Sequence, residues 1–268
     1  MASHLTLEKC VVKPIWDKEN MMLEQDVDLT TADGTVDAVL FTPDAEKALP
    51  GVLHIPDIRS IRETHRAMAR RLVGEGYTVL MPNPFYRTSR SPVFAPEIKH
   101  GSPEFMKRIQ ELIAPLTPEG LEQDLSVYLD YLTSRPTTAI GKVGVVGYCI
   151  GGGIALRAAA VKPDRVGAVA SFHGGGLYKP SDPASPHLVL PRVKAILYFG
   201  HAVKDGSMTA EDIAGFEKAL EEWGGDYTSK VYDGAHHGWT VRDNPAYNEP
   251  QAERAFAKMM ALFRETLG

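Results

Sequence analysis

The chain has 268 residues, 44% of them hydrophobic and 24% charged, with a net charge of −5 and a pI near 6.0. That is enough apolar material for one substantial core, and it lacks both the basic excess of a nucleic-acid-binding protein and the acidic tract of a solvating tail. Two cysteines, Cys10 and Cys149, make no disulfide framework, and without a CxxC or Cys/His cluster no metal site is expected.

The N-terminus, MASHLTLEKC, carries His4, Glu8 and Lys9 where a secretory signal would place an apolar core. The longest uncharged apolar stretch near the middle, 144–156, holds five glycines and is far short of a membrane span. A soluble protein of a reducing compartment, the cytoplasm, with no membrane association is therefore expected. Residues 1–25 read as an N-terminal extension without an assignable element. Strands are predicted over 27–30 and 36–41, joined by the turn Ala32-Asp33-Gly34. Pro50-Gly51 introduces a short apolar run at 52–55, typical of a buried strand. Helical spacing follows over 61–72, ending near Gly74 and Gly76, and another buried strand at 77–81 is stopped by Pro82-Asn83-Pro84.

A long polar passage from Phe85 to Pro118 contains one predicted helix, 104–113. An amphipathic helix at 121–132 precedes a strand at 143–147 and an alanine-rich helix at 150–161. Strands at 166–172 and 193–199 follow, then a helix at 209–223 with Thr209 as its N-cap and Glu211 and Asp212 in its first turn. The last strand is predicted at 227–232 and the last helix at 250–267. Strands alternating with helices from residue 52 onward give a mostly parallel sheet covered on both faces. With no internal repeat or linker, residues 1–268 read as a single α/β domain.

The sharpest chemical signal is Gly147-Tyr148-Cys149-Ile150-Gly151, followed by Gly152 and Gly153, set between a predicted strand and a predicted helix. This is a nucleophile-elbow pattern with cysteine in place of serine. Glycines flank the nucleophile because the strand-to-helix turn is sharp and side chains there would collide with neighbouring backbone. The turn places the sulfur at a helix N-terminus, where the dipole favours a thiolate, and aims the N–H of Ile150 at a developing oxyanion.

Together with Asp205 in Asp205-Gly206-Ser207-Met208 and His237 in His237-Gly238-Trp239, this motif resembles the dienelactone hydrolase family of α/β-hydrolases. The resemblance runs from about Pro50 to the C-terminus, with its motifs in the same order. It implies an α/β-hydrolase fold and hydrolysis of a small ester or lactone by Cys149, Asp205 and His237, with no cofactor. Asp205 lies 56 residues after Cys149 and His237 a further 32, each after a predicted strand, so both loops open on the elbow's edge of a parallel sheet. Of the adjacent histidines, the His-Gly-aromatic motif favours His237 as base over His236. Asp233 reads as a turn residue, His201 and Lys204 as solvated surface, and His54 as a hydrogen-bonded core residue.

In the resembled family a carboxylate after the strand at 52–55 contacts the resting cysteine, and the next residue donates a second oxyanion N–H. Asp57 and Ile58 fill those positions, Asp57 being one methylene shorter than the family's glutamate. Tyr86, Arg87, His173 and Trp239 are expected to line the substrate pocket, with Arg87 as a cation for an anionic group. Lys107, Arg108 and Arg242 stand near the family's carboxylate-binding arginines, and each reads equally as surface charge. Two other functions fit the same residues: a broad carboxylesterase or other small-substrate hydrolase on this triad, and a non-catalytic α/β-hydrolase-fold binding protein.

Overall fold

The computed structural model describes residues 15–17 and 22–268. Their strands form one sheet: β1 (Ile15–Asp17), β2 (Met22–Thr31), β3 (Gly34–Pro43), β4 (Gly51–Ile55), β5 (Thr78–Pro82), β6 (Val143–Tyr148), β7 (Val166–Phe172), β8 (Ile196–Lys204) and β9 (Tyr227–His236). The spatial order is β1-β2-β3-β5-β4-β6-β7-β8-β9. The first three strands run antiparallel, and β5, β4, β6, β7, β8 and β9 run parallel to one another. Part of the apparent N-terminal extension thus belongs to the sheet, in β1 and the start of β2. Its other residues, 1–14 and 18–21, lie outside the described residues, as does Cys10.

Each central strand buries both faces, so it reads as a continuous apolar run, and alternate side chains enter opposite layers. Val145 packs beneath α3 (Pro118–Thr133) and α4 (Ile150–Val161), whereas Val146 faces α1 (Glu63–Gly74) and α6 (Glu249–Leu267). The remaining helices are α2 (Pro103–Ile113) and α5 (Ala210–Trp223). Local chemistry sets their ends. Ser102 and Thr117 each cap a helix that has proline in its first turn, and Thr209 forms a capping box with Asp212. Among the described residues, no helix is long and apolar enough to cross a membrane.

The last two strands differ from expectation in their bounds. Val193 closes a 3₁₀ segment, Pro186–Arg192, so β8 begins three residues later, at Ile196. The last strand continues through an irregularity that opposes Ala202–Lys204 with Tyr232–His236, where Gly234 adopts φ 70°. Asp233 therefore sits in a bulge within β9 and not in a turn.

The connections reverse direction at the middle of the sheet: β4 leads outward to β5, and β5 returns across β4 to β6. A switch point between β4 and β6 leaves a crevice at their carboxyl ends, where ligands of open α/β sheets bind. The segments entering that crevice begin at Pro56 and at Cys149.

Candidate active site

Cys149 is the N-cap of α4 and adopts φ 57° and ψ −126°, backbone that costs an L-residue about 1–3 kcal/mol and is held only where the surroundings demand it. The demand comes from close packing of strand against helix. A Cβ at Gly147 would stand 2.0 Å from the carbonyl oxygen of Gly151, and one at Gly151 would stand 2.6 Å from that of Pro56. No side chain caps α4, and among the described residues the N–H groups of Ile150 and Ile58 carry no intramolecular hydrogen bond. The Ile58 and Ile150 side chains pack on the same small cluster of Phe85, Val93 and Leu112, which brings the two segments together.

The loops after β8 and β9 deliver the other two residues. His237 Nε2 lies 3.1 Å from Cys149 Sγ, and His237 Nδ1 lies 2.6 Å from Asp205 Oδ2. Ser207, which the sequence reading passed over although it stands two residues after Asp205, completes the arrangement. Its N–H and hydroxyl both donate to Asp205 Oδ1, at 2.8 and 2.6 Å, and its oxygen lies 3.2 Å from His237 Nδ1. Burial opposes charge on both partners, but their mutual hydrogen bond reverses the balance. Asp205 is held below the usual carboxylate range, and His237 is pushed up to about 10 by its bonds to Asp205 and Cys149. His236 is exposed at the end of β9, where it opposes Lys204.

These side chains open on a cavity of about 600 Å³. Ile113, Leu116, Leu121, Ile150 and Ile154 form its apolar wall, and Arg157 and Lys179 stand on its polar side. None of the four expected pocket residues lines it. Tyr86 is buried, its hydroxyl bonded to Asp124 and Thr31, and Arg87 is held bidentate by Asp124 and again by Asp33. Trp239 is fully buried against Tyr232, Phe172 and His173. His173 is buried behind the elbow: its Nδ1 accepts the Cys149 N–H at 3.2 Å, and its ring stands 5.2 Å from that of His237. Proximity to the sheet's carboxyl edge put these residues near the site, but the packing turned them inward. Lys107 is exposed, Arg108 is bonded to Val93, Ser89 and Glu111, and Arg242 lines a different cavity.

Asp57 does not make the expected contact with the thiol. Both its oxygens are engaged by Arg62, at 2.6 and 2.8 Å, with the Arg59 N–H on Oδ1 and His65 Nε2 at 3.4 Å from Oδ2. The shorter side chain meets these partners before it can reach sulfur. Arg62 also grips Asp243, at 2.7 and 2.9 Å, and so ties the loop after β4 to the loop after His237. Burial opposes ionisation of Asp57, yet His65 and Arg62 hold it well below the usual range. Asp57→Asn should destabilise the fold by about 3 kcal/mol, because it removes one partner of a buried pair. Urea unfolding checks this, and a change under about 1 kcal/mol would contradict the assignment.

Three further histidines are buried, His54, His65 and His201. His54 bonds His65, Nε2 to Nδ1 at 2.9 Å, as a core histidine should. His201 is not surface: it is buried in β8 and bonded to Ser229. Burial lowers His54 far below its ordinary value, His173 to about 3 and His201 to about 4. His65 is lowered too, again chiefly by burial, and in the unfolded chain all four titrate near 6.5. The unfolded state therefore binds more protons below that value, and stability is lost as pH falls. The three large shifts, at His54, His173 and His201, alone give a slope approaching about 4 kcal/mol per pH unit between about pH 6 and pH 4, and His65 adds to it. His237 shifts the other way, so its contribution is complete below about pH 6.5 and adds nothing to this slope. Urea midpoints across that window should fall steeply; a flat profile would mean these imidazoles are not buried neutral.

A strained residue after the central parallel strand, with an acid and a histidine following the next strands in that order, defines an α/β-hydrolase. The profile of the dienelactone hydrolase family matches residues 36–267, and the chain belongs to that family. A candidate carboxymethylenebutenolidase of Synechocystis sp. is 27% identical over 231 residues, 85% of this chain and 91% of its own length. A Bradyrhizobium protein described as a 2-oxo-3-(5-oxofuran-2-ylidene)propanoate lactonase by probable assignment is 24% identical, over 89% of this chain and 92% of its own. Among solved structures, a candidate dienelactone hydrolase of Klebsiella pneumoniae superposes with a TM-score of 0.80 at 22% identity, covering 91% of this chain and 99% of that one.

Proposed function

We propose that this protein hydrolyses small lactones or esters through a thioester on Cys149. The observation that carries the reading is the continuous chain from Cys149 Sγ through His237 to Asp205, at 3.1 and 2.6 Å, on the wall of a cavity. Cys149 Sγ attacks the carbonyl carbon while His237 Nε2 holds the thiol proton. The oxyanion is received by the free N–H groups of Ile150 and Ile58. Collapse breaks the acyl–oxygen bond, and the departing oxygen takes the proton from His237. In a lactone that oxygen stays tethered to the acyl group, so this step opens the ring. Water then gives a proton to His237 and attacks the thioester; the acid leaves, and the proton returns to sulfur. Asp205, fixed by Ser207, keeps Nε2 facing sulfur and balances the imidazolium charge.

The names of the relatives point to lactones, and the apolar wall facing Arg157 and Lys179 suits a small amphipathic substrate. A panel of p-nitrophenyl esters of graded length plus one dienelactone separates lactone preference from broad carboxylesterase activity. Intact-mass analysis during turnover should find one acyl group, mapped to Cys149. Turnover with the acyl group on another residue would overturn the nucleophile assignment, and absence of any turnover or acylation would favour a binding protein.

A further inference from the structure

A second cavity, of about 390 Å³, lies on the other face of the sheet, between α1 and α6. Neither Cys149 nor His237 lines it. Its walls are mainly apolar, from Met68, Phe172, Ala252, Phe256 and Met259. Its charged groups are matched: Arg71 is held by Glu253 at 2.5 Å and lies over the Phe256 ring, while Arg242 faces Glu249 at 3.8 Å. An ionic ligand would find no uncompensated partner here.

Four hydroxyl-bearing residues line this space, Thr64, Tyr148, Thr240 and Tyr247; Tyr247 is engaged by Arg242, and Tyr148 and Thr240 stand at the sheet end of the cavity. Tyr148 is 3% exposed and lines the cavity, yet among the described residues its hydroxyl has no hydrogen-bond partner. Thr240 is the second, and its proton follows from its neighbours. The Cys149 N–H is shared between the Phe172 carbonyl at 3.1 Å and His173 Nδ1 at 3.2 Å and can only donate, so the Nδ1 that receives its share carries no hydrogen. His173 Nε2 therefore carries the proton and donates it to Thr240 Oγ1 at 2.7 Å. The Thr240 hydroxyl hydrogen is left uncommitted. Thr240 is half-buried, and both hydroxyls face the cavity with a hydrogen to give; two uncommitted donors in an apolar, charge-balanced cavity describe the ligand that would accept from them.

We propose that this cavity is a second binding site, for an uncharged, largely apolar small molecule with a hydrogen-bond-accepting oxygen such as a ketone or ether. Its size falls within the range of small-molecule pockets. The occupant accepts from Tyr148 and Thr240 and buries its apolar part against Phe256 and Met259. The site is independent of the hydrolytic chemistry proposed above, although Tyr148 adjoins Cys149 and Thr240 touches its backbone through His173.

Acetophenone is a suitable probe, with ethylbenzene lacking the oxygen and benzoate supplying a charged isostere. Calorimetry is performed on full-length protein whose Cys149 has been alkylated with iodoacetamide, which obstructs the first cavity. Acetophenone should bind at one site per chain, tighter than ethylbenzene, with benzoate weakest. Tyr148→Phe should weaken acetophenone by about three- to tenfold, the value of one hydrogen bond, and leave ethylbenzene unchanged. Ala252→Phe, at the cavity wall, should abolish both. Equal acetophenone affinity in wild type and Tyr148→Phe, preference for benzoate, or no binding would each overturn the proposal. If Ala252→Phe fails to fold, the comparison of acetophenone with ethylbenzene in Tyr148→Phe decides alone.

Discussion

Cys149→Ala is expected to lower kcat/KM for an activated ester by about 10⁴-fold or more, with the fold retained. The sulfur is the only atom of this residue placed to form a bond with substrate, and it stands 3.1 Å from the base. Alanine leaves water as the sole nucleophile, aided only by the oxyanion donors and binding. The strained backbone is set by Gly147 and Gly151, not by the thiol, so circular dichroism and the urea midpoint should stay near wild type. Retention of more than a tenth of the wild-type rate would show that another group attacks. Cys149→Ser should be far slower than wild type, because a hydroxyl gives up its proton much less readily at a site arranged around sulfur.

His237→Ala is expected to cost about 10³- to 10⁴-fold, and His236→Ala less than about twofold. One imidazole joins sulfur to Asp205; the other is exposed, on the last residue of β9. Asp205→Asn should fall between, since it leaves the base in place but removes the acceptor that orients Nδ1–H. Steady-state kinetics on the three variants with one ester checks the order. A severe loss in His236→Ala alone would reverse the assignment, and equal losses in both would mean that neither geometry nor motif identifies the base.

The alternation of strand and helix, the site's edge of the sheet and the three residues that meet there, Cys149, Asp205 and His237, were all legible in the sequence. Those features depend on local rules: a buried strand is an apolar run, a sharp elbow requires small residues on both sides of the nucleophile, and loops after parallel strands share one edge. The 3₁₀ segment before β8 and the bulge in β9 were less legible, because each interrupts a strand pattern without strong punctuation.

Side-chain direction and partner choice needed the tertiary structure. Tyr86 and Arg87 follow a strand that ends at the right edge, yet Asp124, on α3 and distant in sequence, draws both away from the cavity. Asp57 occupies the expected position but finds Arg62 within reach, and a bidentate ion pair in a buried setting outcompetes a thiol contact. His201 has the polarity of a surface residue and is buried because β8 runs on past the expected end at residue 199 to Lys204, with Ser229 across the ladder to accept its proton. The sequence by itself determined which residue types reach one edge of one sheet. Only the tertiary structure decided which of them meet, because hydrogen bonds and ion pairs between segments far apart in the chain are settled by distances of a few ångströms that no local pattern encodes.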